Sequence, residues 1–343
     1  MNFQNDRYTL RMAVPGDDPG IREVFAAQHF PGGITVQFLR GESPLASFAA
    51  DGDEGRMMVI IDNEAHRTAA VGGAVVQTLF VGGVPKRCAY LTGLKIHPDY
   101  QKRIFFIARA YAFLHEHLRD CDAFYTTILD DNRSVIAMLE KKHRSMPEYR
   151  FLGHVTTYGF RDAKRCLDLA VDDADAFALL HDYYRGFTLT PAVPDYGGFG
   201  KGHFYSCREG GRIRAFCFAG DQRATKQYRM SGYGGIYRML SHLPTAWLGY
   251  PAFPKPGATL DHGVISYLYV EDHDPVLCRQ FLRSVAKETG HALLLWGCPD
   301  AHPLHDAAAA LKAVHYGSRL YEVVWDGDAP VLTAPLHLET ALL

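Results

Sequence analysis

Residues Leu91 to Leu114 read LTGLKIHPDYQKRIFFIARAYAFL. A hydrophobic strand runs into a proline, takes a polar and basic step, and continues as a long helix. A strand delivered to a helix N-terminus makes a seat for an anion, because unpaired N–H groups and the helix's partial positive charge meet there. Gln101, Lys102 and Arg103 supply polar and cationic side chains at that step. The next residues, Ile104, Phe105 and Phe106, include no glycine. Glycine would let phosphate oxygens come close to the backbone. The bulk leaves the N–H groups in place, and Lys102 and Arg103 can offset it with charge-assisted bonds.

Other residue types that carry chemistry lead elsewhere or nowhere. Among the 17 histidines, His115 and His117 point to different faces of a helix. His302 can share a face with His305 or Asp306, but the spacing implies no third ligand, so no metal is expected. Ser-His-Asp hydrolysis has no G-x-S-x-G elbow to rest on. Cys88 and Cys121 fall in or beside core strands, where a structural thiol is the default. Gly197 to His203, GGFGKGH, lacks the Lys-Ser/Thr pair of a phosphate loop and reads as a pre-strand loop. Lys141 to Arg150 reads as a solvated basic loop. Trp247, Tyr250 and Phe253 sit in a proline-rich connection.

The chain has 343 residues, 48% hydrophobic and 22% charged, with a formal net charge of −2. That composition is globular. It gives no broad field to attract nucleic acid or membrane. Seven cysteines are scattered without a CxxC pair, as expected for free thiols in a reducing compartment. The first residues carry no apolar stretch of signal-peptide length, and no run approaches a membrane span. A soluble, cytoplasmic protein is expected.

The elements that must position the candidate residues recur twice. YTLRMAVPGDDPGIREVF from Tyr8 and KRCLDLAVDDADAFALL from Lys164 each pass from a short strand through acidic turn residues into an amphipathic helix. Asp17 or Asp18 caps the first helix, and Asp172 or Asp173 the second. Downstream each half shows three strands and closes with strand–helix–strand–helix–strand; in the first half the third strand opens that run, and in the second a helix precedes it. In the second half RIRAFCFAG and QRATKQYRM are two of the three strands. A repeat of this size suggests duplication of a whole domain. The boundary is expected near residues 161–163.

This order of elements resembles the GNAT N-acetyltransferase superfamily in tandem, over nearly the whole chain. LKIHPDYQKR is similar to that family's exit from its fourth strand, and DDNRSVIAMLEKK to its later motif, in which an asparagine, here Asn132, opens a helix near the cofactor. The resemblance implies an α/β (α+β) fold: two GNAT-like domains, each a mixed, mostly antiparallel sheet flanked by helices. Residues 1–161 would be the acyl-CoA-binding domain. Residues 162–343 would be a degenerate one, structural or acceptor-shaping. Acetyl-CoA would be the acyl donor, with no metal. Its thioester carbonyl would meet N–H groups among Leu94, Lys95 and Ile96 on a bulged strand. Its pyrophosphate would sit on Gln101 to Phe106, although Ile104 and Phe106 replace the family's small residues.

Strand alternation places Tyr90, Thr92, Leu94 and Ile96 on one face. Tyr90 and Thr92 are therefore candidates beside the donor, and Tyr125, Thr126 and Thr127 on the next strand for the acceptor side. The family's tyrosine on the last helix is replaced by Leu139, and His143 lies one turn on as a substitute acid. In the second half, Asp272 and Asp274 are acidic where phosphate would sit, and like charges repel. The expected activity is acyl transfer from acyl-CoA to an amine of a small molecule or peptide, in a chain that can form oligomers. A non-catalytic ligand-binding module is the alternative. An aminoacyl-tRNA-dependent transferase is the third, opposed by the near-neutral charge.

Overall fold

A computed structural model describes residues 3–4, 7–27, 33–101, 106–141, 146–161, 164–172, 176–192, 197–243, 245, 250–325 and 327–343. The chain opens with β1 (Phe3–Gln4), β2 (Tyr8–Met12), α1 (Asp18–Ala26), β3 (Ile34–Arg40) and α2 (Pro44–Ala49). Next come β4 (Glu54–Asp62), β5 (Arg67–Val81), β6 (Val84–Ile96), α3 (Phe106–Glu116), β7 (Ala123–Leu129), α4 (Arg133–Leu139) and β8 (Glu148–Phe160). The second half holds β9 (Ala170–Val171), α5 (Ala176–Arg185), β10 (Thr190–Pro191), β11 (Lys201–Glu209), β12 (Arg212–Asp221) and β13 (Lys226–Tyr233). It ends with α6 (Gly235–Leu240), β14 (His262–Val270), α7 (Pro275–Thr289), β15 (Leu293–Pro299), α8 (His305–Ala309) and β16 (Ala313–Val324).

Local chemistry sets the joints. Gly82 and Gly83, at φ +59° and +77°, make the tight β5–β6 turn, where two left-handed residues match the twist of the strands. Ser43 accepts the Ala46 N–H to start α2, with Pro44 in the first turn. Asp274 accepts the Val276 and Leu277 N–H groups to start α7, and Gly290 at φ +69° ends it.

Among the described residues fourteen strands form one sheet in the order β1-β2-β4-β5-β6-β7-β16-β8-β15-β14-β12-β11-β9, with β10 on β5. Read from β2 inward, the order β2-β4-β5-β6-β7-β16 has the pattern of β9-β11-β12-β14-β15-β8 read from the other end. The β6·β7 and β14·β15 ladders are parallel at matching places. The last strand of each half lies against the other half: β16 pairs β7, and β8 pairs β15, with β8 and β16 antiparallel at the centre. The sequence reading gave each half its own last strand. Hydrophobic alternation shows that a strand is buried and says nothing of which sheet receives it.

One strand assignment changes. The sequence pattern places QRATKQYRM in the second half's sheet. Its strand, β13, instead pairs β3 of the first half in a separate two-stranded sheet, Tyr228 opposite Phe38. The β3 partner at Ile34–Arg40 and the short α2 were not foreseen. Helices α3 and α4 cover one face of the first half, over a core that includes Leu91, Leu114 and Ile136. Helices α1 and α2 bury Ile21, Phe25 and Phe48 against the other face. Helix α7 buries Phe281 and Leu282 on the second half. The expected boundary residues 162 and 163, and Asp173, lie outside the described residues.

Candidate functional site

The geometry begins with one extra residue in β6. Opposite β5, Gly73 faces Thr92 while Val71 faces Lys95, so the extra residue falls at Gly93–Leu94. Gly93 has φ +71°, a region glycine enters freely and L-residues enter at a cost. At the same level β6 leaves its other neighbour. The parallel ladder to β7 ends at Tyr90 opposite Tyr125, yet β6 runs on to Ile96 and β7 to Leu129. The result is a slot between two strand edges. The Thr126 hydroxyl donates to the Leu91 carbonyl at 2.7 Å and closes the slot's apex. The Leu91 carbonyl thus faces β7, and the strand's two-residue period turns the Gly93 N–H the same way.

This bulge corrects the sequence reading of faces. Tyr90 belongs to the core under α1 and α2. Leu94 and Ile96 line an apolar pocket on the α3 face, with Met58, Tyr100, Ile107 and Ala110. A bulge shifts the alternation by one, so the four residues Tyr90, Thr92, Leu94 and Ile96 do not share a face. Lys95 takes the place on the α1 side, buried, with its ammonium 5.3 Å over the Phe25 ring. Burial lowers its pKa to about 8. A Cβ built on Gly93 would touch Phe48 at 3.4 Å and Phe25 at 3.8 Å, so Lys95 and the bulge share the Phe25 ring as a wall.

The two tyrosines are engaged. Tyr90 and Tyr125 have ring centroids 5.0 Å apart. The Tyr90 hydroxyl and the Thr127 hydroxyl are 2.7 Å apart, and burial raises the Tyr90 pKa. The Tyr125 hydroxyl donates to Gln77 Oε1 at 2.5 Å, and Gln77 Nε2 donates to the Asp51 carbonyl at 2.8 Å. Below them Asp51 pairs with Arg40 at 2.5 Å and Lys226 at 2.9 Å, all three buried. Burial lowers Lys226 to about 8, against the pull of Asp51. Gln77, Asp51 and Lys226 were not foreseen, because they come from three separate strands and turns and share no local spacing. Gly93 carried a legible signal, an isolated glycine within a strand pattern.

The anion step is partly described. Gln101 is exposed and closes the turn at Pro98–Tyr100, and Phe106 opens the eleven-residue α3. Lys102, Arg103, Ile104 and Phe105 lie outside the described residues, as do His143 and Trp247. Asn132 stands at the start of α4, directly after β7, without a side-chain capping bond. Thus Tyr90, Thr92, Leu94, Lys95 and Ile96 lie along β6 and Tyr125 along β7, the two strands that border the slot, and Asn132 follows β7 at the start of α4. On the α1 side an open groove of about 790 Å³ runs past α2 to β3 and β13, lined by residues that include Arg22, Phe25, Glu42, Ser47 and Gln227.

Among the described residues no cluster of three or more His, Cys, Asp or Glu could hold a metal ion. No described helix is long and apolar enough to cross a membrane.

No protein-family profile matches the sequence, and no curated protein matches it. Solved structures do match in fold. N-myristoyltransferase of Saccharomyces cerevisiae, crystallised with myristoyl-CoA, superposes with a TM-score of 0.58 at 10% identity, over 94% of this chain and 83% of that one. A GCN5-related N-acetyltransferase of Sphaerobacter thermophilus gives 0.53 at 12% identity, over 96% of this chain and 100% of the other. A candidate acetyltransferase of Pyrococcus horikoshii gives 0.52 at 11%, over 96% of this chain and 94% of that one. The chain shares the GNAT fold of these structures, a mixed, mostly antiparallel sheet flanked by helices.

Proposed function

We propose that the chain transfers an acyl group from an acyl-CoA to an amine, with the donor lying in the slot between β6 and β7. One observation carries the reading: the Gly93–Leu94 bulge falls where the β6–β7 ladder has ended, so a backbone N–H is aimed at an open strand edge. In such a reaction the amine lone pair attacks the thioester carbon, negative charge grows on the carbonyl oxygen, and the intermediate collapses to amide and CoA thiolate. A fixed N–H placed where that charge grows favours the transition state over the substrate. Solved structures of the same fold include one holding myristoyl-CoA, which supports an acyl-CoA donor.

The rest of the slot supports this assignment. Gln101, Lys102 and Arg103 with the start of α3 would take the pyrophosphate. Lys95, largely neutral above pH 8, would accept the proton the amine loses. The acceptor would enter by the groove between α1–α2 and β3–β13, where Phe25 lines both the groove and the wall behind the bulge. Strand β13 comes from the second half, which supports an acceptor-shaping role for residues 162–343. The apolar space behind Leu94 is about 20 Å³. That is room for one water-sized group, which supports a short acyl group such as acetyl over longer chains.

Calorimetric titration with acetyl-CoA, coupled to a thiol-release assay across a series of acyl-CoAs, tests the proposal. Micromolar binding and acetyl as the preferred group are expected. Lys102→Glu with Arg103→Glu should weaken binding at least tenfold, about 1.4 kcal/mol. No heat at millimolar acetyl-CoA would refute the donor assignment. Tight binding with no thiol release for any amine would reduce the chain to a binding module.

A further inference from the structure

The second half contains the same slot. Opposite β12, Ser266 faces Phe218 while Tyr269 faces Phe216, so β14 has one extra residue at Tyr267–Leu268. Tyr267 has φ +55°. The parallel ladder from β14 to β15 ends at Val264 opposite Leu295, two residues before Ser266. In β6 the ladder ends at Tyr90, two residues before Thr92. Register therefore matches Gly93 with Tyr267. A tyrosine at this φ is strained, and strain persists only where the surroundings hold it.

What holds it is the C-terminal segment. Glu339 Oε1 accepts the Tyr267 N–H at 3.0 Å. The same oxygen accepts the Tyr184 hydroxyl and lies 3.4 Å from His337 Nε2. Glu339 is buried, at 5% exposure. The turn Thr340–Leu342 fills the gap beside β15: a Cβ on Gly297 would stand 2.0 Å from the Thr340 hydroxyl oxygen. Ala341 and Leu342 pack in one core with Tyr267 and Leu295. The anion seat at this slot's mouth is also taken, since the Asp274 carboxylate caps α7.

We propose that residues 336–343 are a built-in pseudo-ligand of the second slot. The Glu339 carboxylate takes the bulge N–H that the first slot offers to a thioester carbonyl, so the second slot is closed to donor and the chain takes one acyl-CoA. The comparison with a thioester rests on the donor reading above. The occupancy of the slot by Glu339 does not. The same segment reaches the floor of the first slot: Gln77, which holds Tyr125, also donates to the Leu342 carbonyl at 3.4 Å, and Lys226 donates to the Ala341 and Leu343 carbonyl oxygens at 2.7 and 2.9 Å.

Amide hydrogen exchange at Tyr267 tests the proposal without any ligand. The wild-type amide should exchange slowly, and Glu339→Ala should speed it by at least about tenfold through local opening, with Glu339→Gln in between. Equal rates in wild type and both variants would overturn the proposal. If Glu339→Ala fails to fold, Glu339→Gln and the wild-type calorimetric stoichiometry decide: faster exchange with one acetyl-CoA per chain supports the plug, and unchanged exchange or two per chain overturns it. Absence of acetyl-CoA binding would count against the donor reading, while the Tyr267 exchange rates would still decide on the plug.

Discussion

Two residues carry the chemistry proposed for the first slot, and each is exposed to a separate test. At Gly93 the backbone is left-handed, φ +71°. Space for a methyl group is tight but present, 3.4 Å from Phe48, so the objection to a side chain is mainly strain. Gly93→Ala should cost about 1–2 kcal/mol of stability in denaturant unfolding, and lower kcat/KM by roughly tenfold or more as the N–H is displaced. An unchanged kcat/KM would remove Gly93 from the site. Lys95 is tested by pH. Its neutral form accepts the proton, so kcat/KM should climb as pH rises through about 8 and level off above. Lys95→Met should lose that limb and about 10²–10⁴-fold in rate, the usual worth of a general base. A variant that keeps the limb would assign it to another group. At this scale the sequence reading placed the thioester's partners on β6. It named the N–H groups of Leu94, Lys95 and Ile96 and missed Gly93, because a bulge is a property of pairing with β5 and only its glycine is written in the strand itself.

Among the elements, the ion cluster under the slot ties three of them together. Arg40 lies on β3, Asp51 follows α2, and Lys226 begins β13 from the other half. All three are at most 5% exposed. Removing the shared anion leaves two cations in a low-dielectric interior. Asp51→Ala should therefore cost about 3–5 kcal/mol in urea unfolding. A cost under about 1 kcal/mol would mean that water or another anion already compensates the pair. The pairing of β3 with β13 that this cluster anchors was illegible in advance. Ile34–Arg40 is a short strand whose residues are mostly half-buried, so it lacks the clean period-two signal of a strand with one buried face. By contrast the strand–helix–strand closure of each half was legible, because long amphipathic helices and apolar strands announce themselves locally.

For the molecule as a whole, the exchange of β8 and β16 makes one continuous sheet from two repeats. Such a chain is expected to unfold with both halves coupled, and its buried histidines give that event a pH signature. Burial pushes His302 down to about 2, helped by the nearby imidazoles of His337, His273 and His305. Burial also lowers His262. His302 is neutral in the fold and His262 is held toward its neutral form, while in the unfolded chain both titrate near about 6.5. Below that value the unfolded state binds more protons, so stability falls as pH drops, by up to about 1.4 kcal/mol per pH unit for each imidazole. The carboxylates that ion pairs and hydrogen bonds hold low, Asp120 and Asp221 among them, begin to contribute only near about pH 4. A decline between about pH 6.5 and 4.5 is thus a histidine effect, and His302→Leu should flatten it in urea titrations at stepped pH. An equally steep decline in that variant would assign the effect to His262 or to other groups.

The two openings at Tyr8 and Lys164 were legible because strand, acidic turn and helix recur in the same order. The crossing of the last strands was not, because it is a choice between two equivalent sheet edges. The first of the two slots, not the second, is the one assigned to the ligand. Hydrogen exchange mapped along the whole chain, with and without saturating acetyl-CoA, tests it most directly. Protection is predicted at residues 92–96 of β6, 126–129 of β7 and the start of α3, with β14 and β15 unchanged. Protection confined to β14 and β15, or none anywhere, would contradict it.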